Sequence, residues 1–395
     1  MAQDAIVTVR DTRRSVPLAW RNLVANKRRL VRSSAGIGFA VLLMLVQLGF
    51  ERGFFNASLG VIRQLDGDLF IMRASKYRFG AEDPFARRDL DAASNVARIA
   101  GIVPLYAAWQ DLFWQEPGGD KSYLIQGFAF DPDQSPFLLP EINEQRDRLK
   151  QRDAVLVDRR ARPFLGMAGD ARETTINGRP VHIAGNFALG PDFMSNGTVM
   201  MSDRTFAGLL TGNRDNPAAV PVEFGVVKLQ TGADLAAVRQ ALTAALPKEL
   251  RVLSKPQLIA FETNFQADLS SAGPIFWMGT FVGFVVGMLI SYQVIYTDLA
   301  DQLPQYATLK GMGYGTGYLV RIVFEQAALS AIIAFVPAWL LCLLVYYVIG
   351  VLALLPLHMT LGLTLLSLAL TLGMCLLAAA LAIRRVITAD PAEVF

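Results

Sequence analysis

The residues of this chain that could do chemistry are few, and their spacing does not suit it. His182 and His358 are its only histidines. They fall on different expected elements and outside any H-E-x-x-H pattern, so a histidine-rich metal site is not expected. No G-x-S-x-G nucleophile elbow occurs. Gly118-Gly119-Asp120-Lys121-Ser122 has the composition of a phosphate loop, but Asp120 stands where the second glycine must be and no helical pattern follows. Gly311, Gly313, Gly315 and Gly317 alternate and so miss the G-x-G-x-x-G spacing. Asp131 and Asp133 flank Pro132 and read as a solvated turn. Cys342 and Cys375 both lie in apolar runs, so no disulfide framework is expected. The expectation is therefore a chain with no catalytic residues, no metal site and no cofactor of its own.

The elements that carry these residues are set by hydropathy. Hydrophobic residues make up 53% of the 395, and they concentrate near the two ends. A membrane-spanning helix needs about 20 mostly apolar residues to cross roughly 30 Å of hydrocarbon. Residues 33–54, 270–297, 321–349 and 360–383 meet that requirement. Between the last two, Pro356 and His358 break a run, 326–383, that is free of Asp, Glu, Lys and Arg. A charge at a span centre costs about 2.5–3.5 kcal/mol on the insertion scale, so uncharged runs of this length are hard to explain otherwise.

Lys and Arg give the orientation. Arg10, Arg13, Arg14, Arg21, Lys27, Arg28, Arg29 and Arg32 precede the first span against Asp4 and Asp11, and Arg384 and Arg385 follow the fourth. Lys310 and Arg321 lie between the second and third, and the turn at 350–359 has no basic residue. The expected arrangement is a multi-pass protein of the cell inner membrane with both termini cytoplasmic. A basic tail occupies 1–32, an extracytoplasmic domain 55–268, a cytoplasmic loop 298–320 and a C-terminal tail 384–395. The formal net charge of +3 then reports a basic tail rather than a nucleic-acid-binding face. The first span is not expected to be a cleaved signal, because Glu51, Arg52, Phe54 and Phe55 follow its uncharged run 33–50. Residues 17–30 read as a short amphipathic helix, either lying in the headgroup layer or serving only as a positive-inside anchor.

The middle of the chain alternates strand and helix patterns, which predicts an α+β domain. Residues 68–72, 123–130, 222–229 and 250–253 read as strands, and 174–183 as a hairpin about Asn177-Gly178. Residues 233–246 read as an amphipathic helix. The stretches 54–64 and 257–269 read as helical stalks joining this domain to the first and second spans.

Two further patterns carry information. Gly279, Gly283 and Gly287 form a tandem G-x-x-x-G in the second span, a strip on which another helix backbone could approach closely. It reads as a helix seam within the subunit or across a homodimer, or as the ordinary abundance of glycine in spans. The loop after it runs Asp301-Gln302-Leu303-Pro304-Gln305-Tyr306-Ala307-Thr308-Leu309-Lys310-Gly311-Met312-Gly313-Tyr314, read physically as a short helix ended by glycine. The tail Arg384-Arg385-Val386-Ile387-Thr388-Ala389-Asp390-Pro391-Ala392-Glu393-Val394-Phe395 accompanies it.

With those two segments in view, the layout of one span, a large outer domain and three further spans resembles the MacB/FtsX-like permeases of ABC transporters. The loop is similar to the family pattern E-I-G-x-L-[RK]-A-L-G-A, with Leu309, Lys310 and Gly313 at matching places. The tail resembles R-R-x-x-x-x-D-P-x-E-x-[LF], through Arg384, Arg385, Asp390, Pro391 and Glu393. Tyr306 to Lys310 with Gly313-Tyr314, Pro17-Leu18-Ala19-Trp20 and Gln47-Leu48-Gly49-Phe50 look most like the DevC branch. Gln305 departs from the usual Glu and Ala307 from the usual Gly.

The resemblance implies a non-catalytic membrane subunit with a MacB-like periplasmic core domain. It would work as a homodimer with a separately encoded ABC ATPase subunit that binds the ATP. Gln305, Tyr306, Ala307, Thr308, Leu309, Lys310, Gly311 and Gly313 would form the coupling segment that docks on the ATPase. A periplasmic adaptor and an outer-membrane channel would complete a tripartite efflux assembly, exporting a membrane lipid or other amphiphile. The spans hold almost no ionisable groups, unlike those of ion-coupled carriers; Glu325 lies near a helix end, where an interfacial or helix-dipole role fits. Alternative readings are an FtsX-like regulator of a cell-wall hydrolase and a lipoprotein-release permease.

Overall fold

The computed structural model describes residues 27–169, 171–190, 195–270, 272–353 and 357–383. It divides into two compact units. One, the helix unit, contains residues up to Gly49, Trp277–Tyr346 and the stretch from Met359 onward; the other, the sheet unit, contains Phe50–Phe276 and Tyr347–His358.

Helix α1 spans Lys27–Ser58 and the short α2 spans Gly60–Gln64. In the sheet unit, β1 (Leu69–Arg73), β2 (Ile99–Gln115), β3 (Ser122–Phe130), β4 (Ala154–Asp158), β5 (Glu173–Ile176), β6 (Arg179–Phe187), β7 (Thr198–Ser202), β8 (Phe224–Leu229) and β9 (Leu250–Ser254) join in the order β3-β7-β4-β6-β5-β2-β8-β1-β9. A further β2–β3 pairing closes six of these strands into a ring. Strand β2 serves two neighbourhoods: Ile99 to Leu105 pair with β8, and Tyr106 to Gln115 pair with β3. Its register against β3 shifts between Ala108 and Leu112, a bulge that takes the residues between them off the ladder. Glu82 Oε1 takes up the amides freed there, accepting from Trp109 N and Gln110 N at 3.2 Å each.

Period-two alternation explains the core. Along β1, Leu69 and Ile71 enter one apolar cluster with Tyr106, Trp114 and Val227, while Phe70 and Met72 enter another with Phe128, Phe224 and Leu258. The strand is buried on both faces, which is why it reads as an unbroken apolar run. The hairpin about Asn177-Gly178 forms between β5 and β6, with φ of 52° and 71° at the two turn residues, as a two-residue turn matched to strand twist requires. Helices α3 (Pro140–Gln145), α4 (Asp203–Thr211), α5 (Leu235–Ala245) and α6 (Lys255–Asn264) complete this unit. The expected stalk at 257–269 is helical but not uniform: α6 passes into a π-helical turn, Phe265–Leu269, that ends at Ser270.

Helices α7 (Ala272–Gly311), α8 (Thr316–Ala353) and α9 (Leu361–Ala382) follow. With α1, they are the four helices long and apolar enough to cross a membrane, over Leu30–Ser58, Ala272–Asp301, Thr316–Val351 and Leu361–Ala382. One local expectation is corrected. The segment about Gln305 is not a separate short helix, because α7 runs unbroken from the second span to Gly311 with Pro304 inside it. Nothing between Thr297 and Pro304 breaks a helix. At Pro304 the chain forfeits one i→i−4 bond, yet the helix continues on both sides of it.

Candidate functional site

The lower half of α7 is organised by a single buried stripe. Ser291, Ile295, Asp298, Leu299, Gln302, Tyr306 and Ala307 are buried at spacings of three and four, the period of one helix face. Tyr306, at 2% exposure, shares a cluster with Leu319, Ile322 and Val323 of α8 and Ala378 and Ala382 of α9. Its hydroxyl donates to Gln302 Oε1 at 3.4 Å. On the other face Gln305, Thr308 and Gly311 are exposed, and Leu309 and Lys310 are half-buried.

The helix ends in a glycine-dependent cap. Gly313 has φ +91°; its N–H donates to the Lys310 carbonyl at 3.1 Å, and Tyr314 N–H reaches back to the Leu309 carbonyl at 3.1 Å. This is the paired 5→2 and 6→1 bonding of a Schellman motif, whose left-handed position favours glycine. Beyond it Met312 is 63% and Tyr314 47% exposed, and the Tyr314 ring stacks on Tyr318 with centroids 5.0 Å apart. Glu325 pairs with Arg321 at 2.8 Å, one turn away on α8. Of the segment Gln305–Gly313, then, Tyr306 and Ala307 are anchors in the bundle and Gln305, Thr308, Gly311 and Gly313 are presented. Arg384, Arg385, Asp390, Pro391 and Glu393 lie outside the described residues, as does most of the 17–30 segment.

The glycine strip of α7 faces α1. A Cβ at Gly279 would overlap the Gln47 amide, one at Gly283 would touch Met44 Cγ at 3.4 Å, and one at Gly287 would come within 3.1 Å of Ala40 Cβ and 2.6 Å of Met374 Sδ. Gln47, Met44 and Ala40 themselves recur at three- and four-residue spacing, so two helix faces meet with one side reduced to backbone. On the opposite side of α7, Trp277, Met278, Phe281, Val282 and Leu289 are all more than half exposed. Little of this span is buried within the chain.

A second concentration of functional groups lies in the sheet unit, at a cleft of about 120 Å³ beside the β2 bulge. Sequence reading missed it. Its residues come from distant parts of the chain with no motif among them, and the signal for each is only a polar residue within an apolar stretch. Below it Lys76 and Glu223 form a fully buried ion pair, with the Lys76 Nζ 5.1 Å from the Trp109 ring centroid and 4.4 Å from that of Phe224. Burial pulls the Lys76 ammonium down and the Glu223 carboxyl up, each toward its neutral form, and their mutual attraction opposes that drift. Glu262 is also buried; its Oε2 accepts from Phe79 N–H at 2.7 Å and its Oε1 from the Gln266 amide at 2.8 Å. Among the described residues, no group of three or more His, Cys, Asp or Glu is placed to hold a metal ion.

Residues 259–391, which contain α7, α8 and α9, match the family model described as FtsX-like permease C-terminal. That segment is similar to the FtsX-like permease C-terminal region, and the four long apolar helices mark a multi-pass membrane protein. Among solved structures it is similar to the periplasmic region of MacB from Actinobacillus actinomycetemcomitans, at 14% identity and TM-score 0.35, over 49% of this chain and 92% of that one. It is similar to the extracellular domain of the noncanonic ABC-type transporter YknZ from Gram-positive bacteria, at 12% identity and TM-score 0.31, over 48% and 99%. A domain of a putative permease protein from Porphyromonas gingivalis is similar at 14% identity and TM-score 0.29, over 47% and 86%. The comparison with curated protein sequences gave no match. The sheet-rich α+β fold of the sheet unit stands on its own strand pairings.

Proposed function

We propose that this chain is the membrane subunit of an ABC-type exporter, working as a homodimer in the inner membrane with both termini in the cytoplasm. A separate ATPase docks on the exposed edge of Gln305–Gly313 together with Met312 and Tyr314, and its closure on ATP is transmitted along α7. The observation that carries this reading is the continuity of α7. Forty residues of unbroken helix, about 60 Å at 1.5 Å per residue, join a solvent-exposed tip to the start of the second span. A flexible loop would absorb displacement; a helix anchored by Tyr306 and Ala307 passes it on. The uncovered apolar side of α7 supports the dimer, since it is the span with least burial inside the chain. The cargo is a lipid or similar amphiphile, handed to a periplasmic adaptor and an outer-membrane channel.

The test is co-purification with the cognate ATPase and measurement of ATP hydrolysis in proteoliposomes. The wild-type chain should change the ATPase rate several-fold. Tyr314→Asp, which touches only the exposed tip, should abolish that change while leaving the thermal midpoint of the chain unaltered. An ATPase rate indifferent to the wild-type chain would end the exporter reading.

A further inference from the structure

Among the groups lining the cleft in the sheet unit, Arg78 is left unsatisfied. Its side chain makes no ion pair and no hydrogen bond among the described residues, and its Nε is shut away from solvent without an acceptor. Its only charge-related contacts are the faces of Tyr77 and Phe265, each 6.0 Å from the guanidinium carbon. Other cations nearby each have a polar partner: Lys76 has Glu223, Lys255 the carbonyls of Arg63 and Leu65 at 3.0 and 2.8 Å, and Arg251 the Lys76 carbonyl, although the Arg251 Nε also lacks an acceptor. Glu262, across the same cleft, is not within ion-pair distance of Arg78 and has both oxygens engaged by Phe79 and Gln266. A guanidinium held without an anion at the mouth of a cleft is a binding group in want of a ligand, because its planar fork matches carboxylate and phosphate geometry.

The remaining walls say what such an anion is attached to. Phe79 and Trp109 meet edge-to-face with centroids 5.8 Å apart, and both line the cleft together with the amides of Gln110 and Gln126. The aromatic surface suits methylenes and the amides suit the ester or hydroxyl oxygens next to a head group. At about 120 Å³, the space is well below the roughly 300–1,000 Å³ that engulfs drug-sized ligands, so a head and the first carbons of one chain enter while the rest stays outside.

We propose that this cleft binds a single-chain amphiphile with an anionic carboxylate or phosphate head, Arg78 taking the head and Phe79 and Trp109 the first methylenes. That such a ligand is cargo rests on the exporter reading; the binding itself does not. The probe is bromohexyl phosphate, whose bromine quenches indole emission, titrated into the full chain in phosphatidylcholine nanodiscs. Saturable quenching is expected, lost in Trp109→Phe and absent with bromohexyl trimethylammonium. Arg78→Gln should weaken binding about tenfold or more, the loss of one charge-assisted contact. Arg78→Lys, which keeps the charge and loses the fork, should fall between. Equal quenching by the ammonium probe, or undiminished binding in both Arg78 variants at an unchanged thermal midpoint, overturns the proposal. Displacement by inorganic phosphate at the same concentration as the probe would assign the cleft to a free anion and overturn the amphiphile. Addition of the partner ATPase separates the two readings. Quenching without stimulated hydrolysis keeps the site and removes the exporter; stimulation without quenching removes the site alone.

Discussion

In the sheet unit, charge is buried as an ion pair, Lys76 with Glu223, roofed by Trp109 and Phe224. In the helix unit the polar side chains buried to 0%, Ser291, Ser367 and Thr371, are neutral, and the acid Asp298 is buried less completely, at 7%. Thr371 and Ser367 return their hydroxyls to the Ser367 and Thr364 carbonyls at 2.7 and 3.0 Å, and Ser291 meets Cys375 Sγ at 3.6 Å. The sheet unit fills its interior with large side chains, the helix unit with glycines set against other helices. The difference follows from the solvent. A domain folding out of water gains by burying apolar bulk and can hold a charge pair inside it. Helices already in hydrocarbon gain nothing from leaving it, so close backbone approach and satisfied hydroxyls decide their contacts.

The largest break in that comparison comes from halving the ion pair. Glu223→Leu leaves Lys76 buried with no counter-charge and should cost about 3–5 kcal/mol. The double variant Lys76→Met/Glu223→Leu, which removes both charges and keeps the volume, should recover most of the loss. Thermal unfolding of the full chain in detergent compares the two. If the double variant is as damaged as the single, desolvation of charge is not what limits this core.

The matching change in the helix unit is Gly49→Ala. Its Cβ would overlap the Tyr346 hydroxyl, which donates to the Leu45 carbonyl and is buried. The ring must move and its hydrogen bond must go, for about 1–3 kcal/mol. Gly287→Ala should cost less, because the atom it meets first is the thioether of Met374, the end of a flexible side chain. Thermal midpoints that rank Gly287→Ala above Gly49→Ala in damage would refute this reading of the two contacts.

At the tip of α7, Gly313→Ala puts a Cβ on a residue at φ +91°, a strain of about 1 kcal/mol. Space is not the issue, since nothing lies within 4 Å of that Cβ. The expected outcome is a small drop in thermal midpoint; no drop at all would mean that the Schellman cap relaxes into another turn.

The sequence disclosed these regions unequally, for physical reasons. Spans are read from uncharged length, and the four long apolar helices among the described residues overlap the four expected segments. The Asn177-Gly178 hairpin was legible because the turn needs two positive φ values that those residues supply cheaply. Strands β4 and β7 went unread: Ala154–Asp158 and Thr198–Ser202 are buried at every position, so they lack the alternation that marks a half-exposed strand. Long β2 was hidden by Pro104, which argues against a strand although Pro104 is paired opposite Gly225. The short helix expected about Gln305 failed as a boundary, because Pro304 costs the helix one bond without ending it. The cleft was illegible because Arg78 sits in a loop, Trp109 on β2 and Glu262 on α6, brought together by tertiary packing that no local spacing encodes.

The smallest effect is expected at Glu325, on the surface of the helix unit. Its pair with Arg321 is a helical i,i+4 contact with the Arg321 side chain 77% exposed and that of Glu325 40%. Such exposed pairs contribute little and weaken as salt screens them. The order is basic residue first and acid four later, the less favourable arrangement in a helix. Glu325→Gln should therefore leave the thermal midpoint almost where it was, and the residual shift should vanish at high salt. A loss comparable to that of Glu223→Leu would mean that Glu325 is covered in the assembled protein, by a second copy or by the ATPase, and thermal unfolding with and without that ATPase would show which.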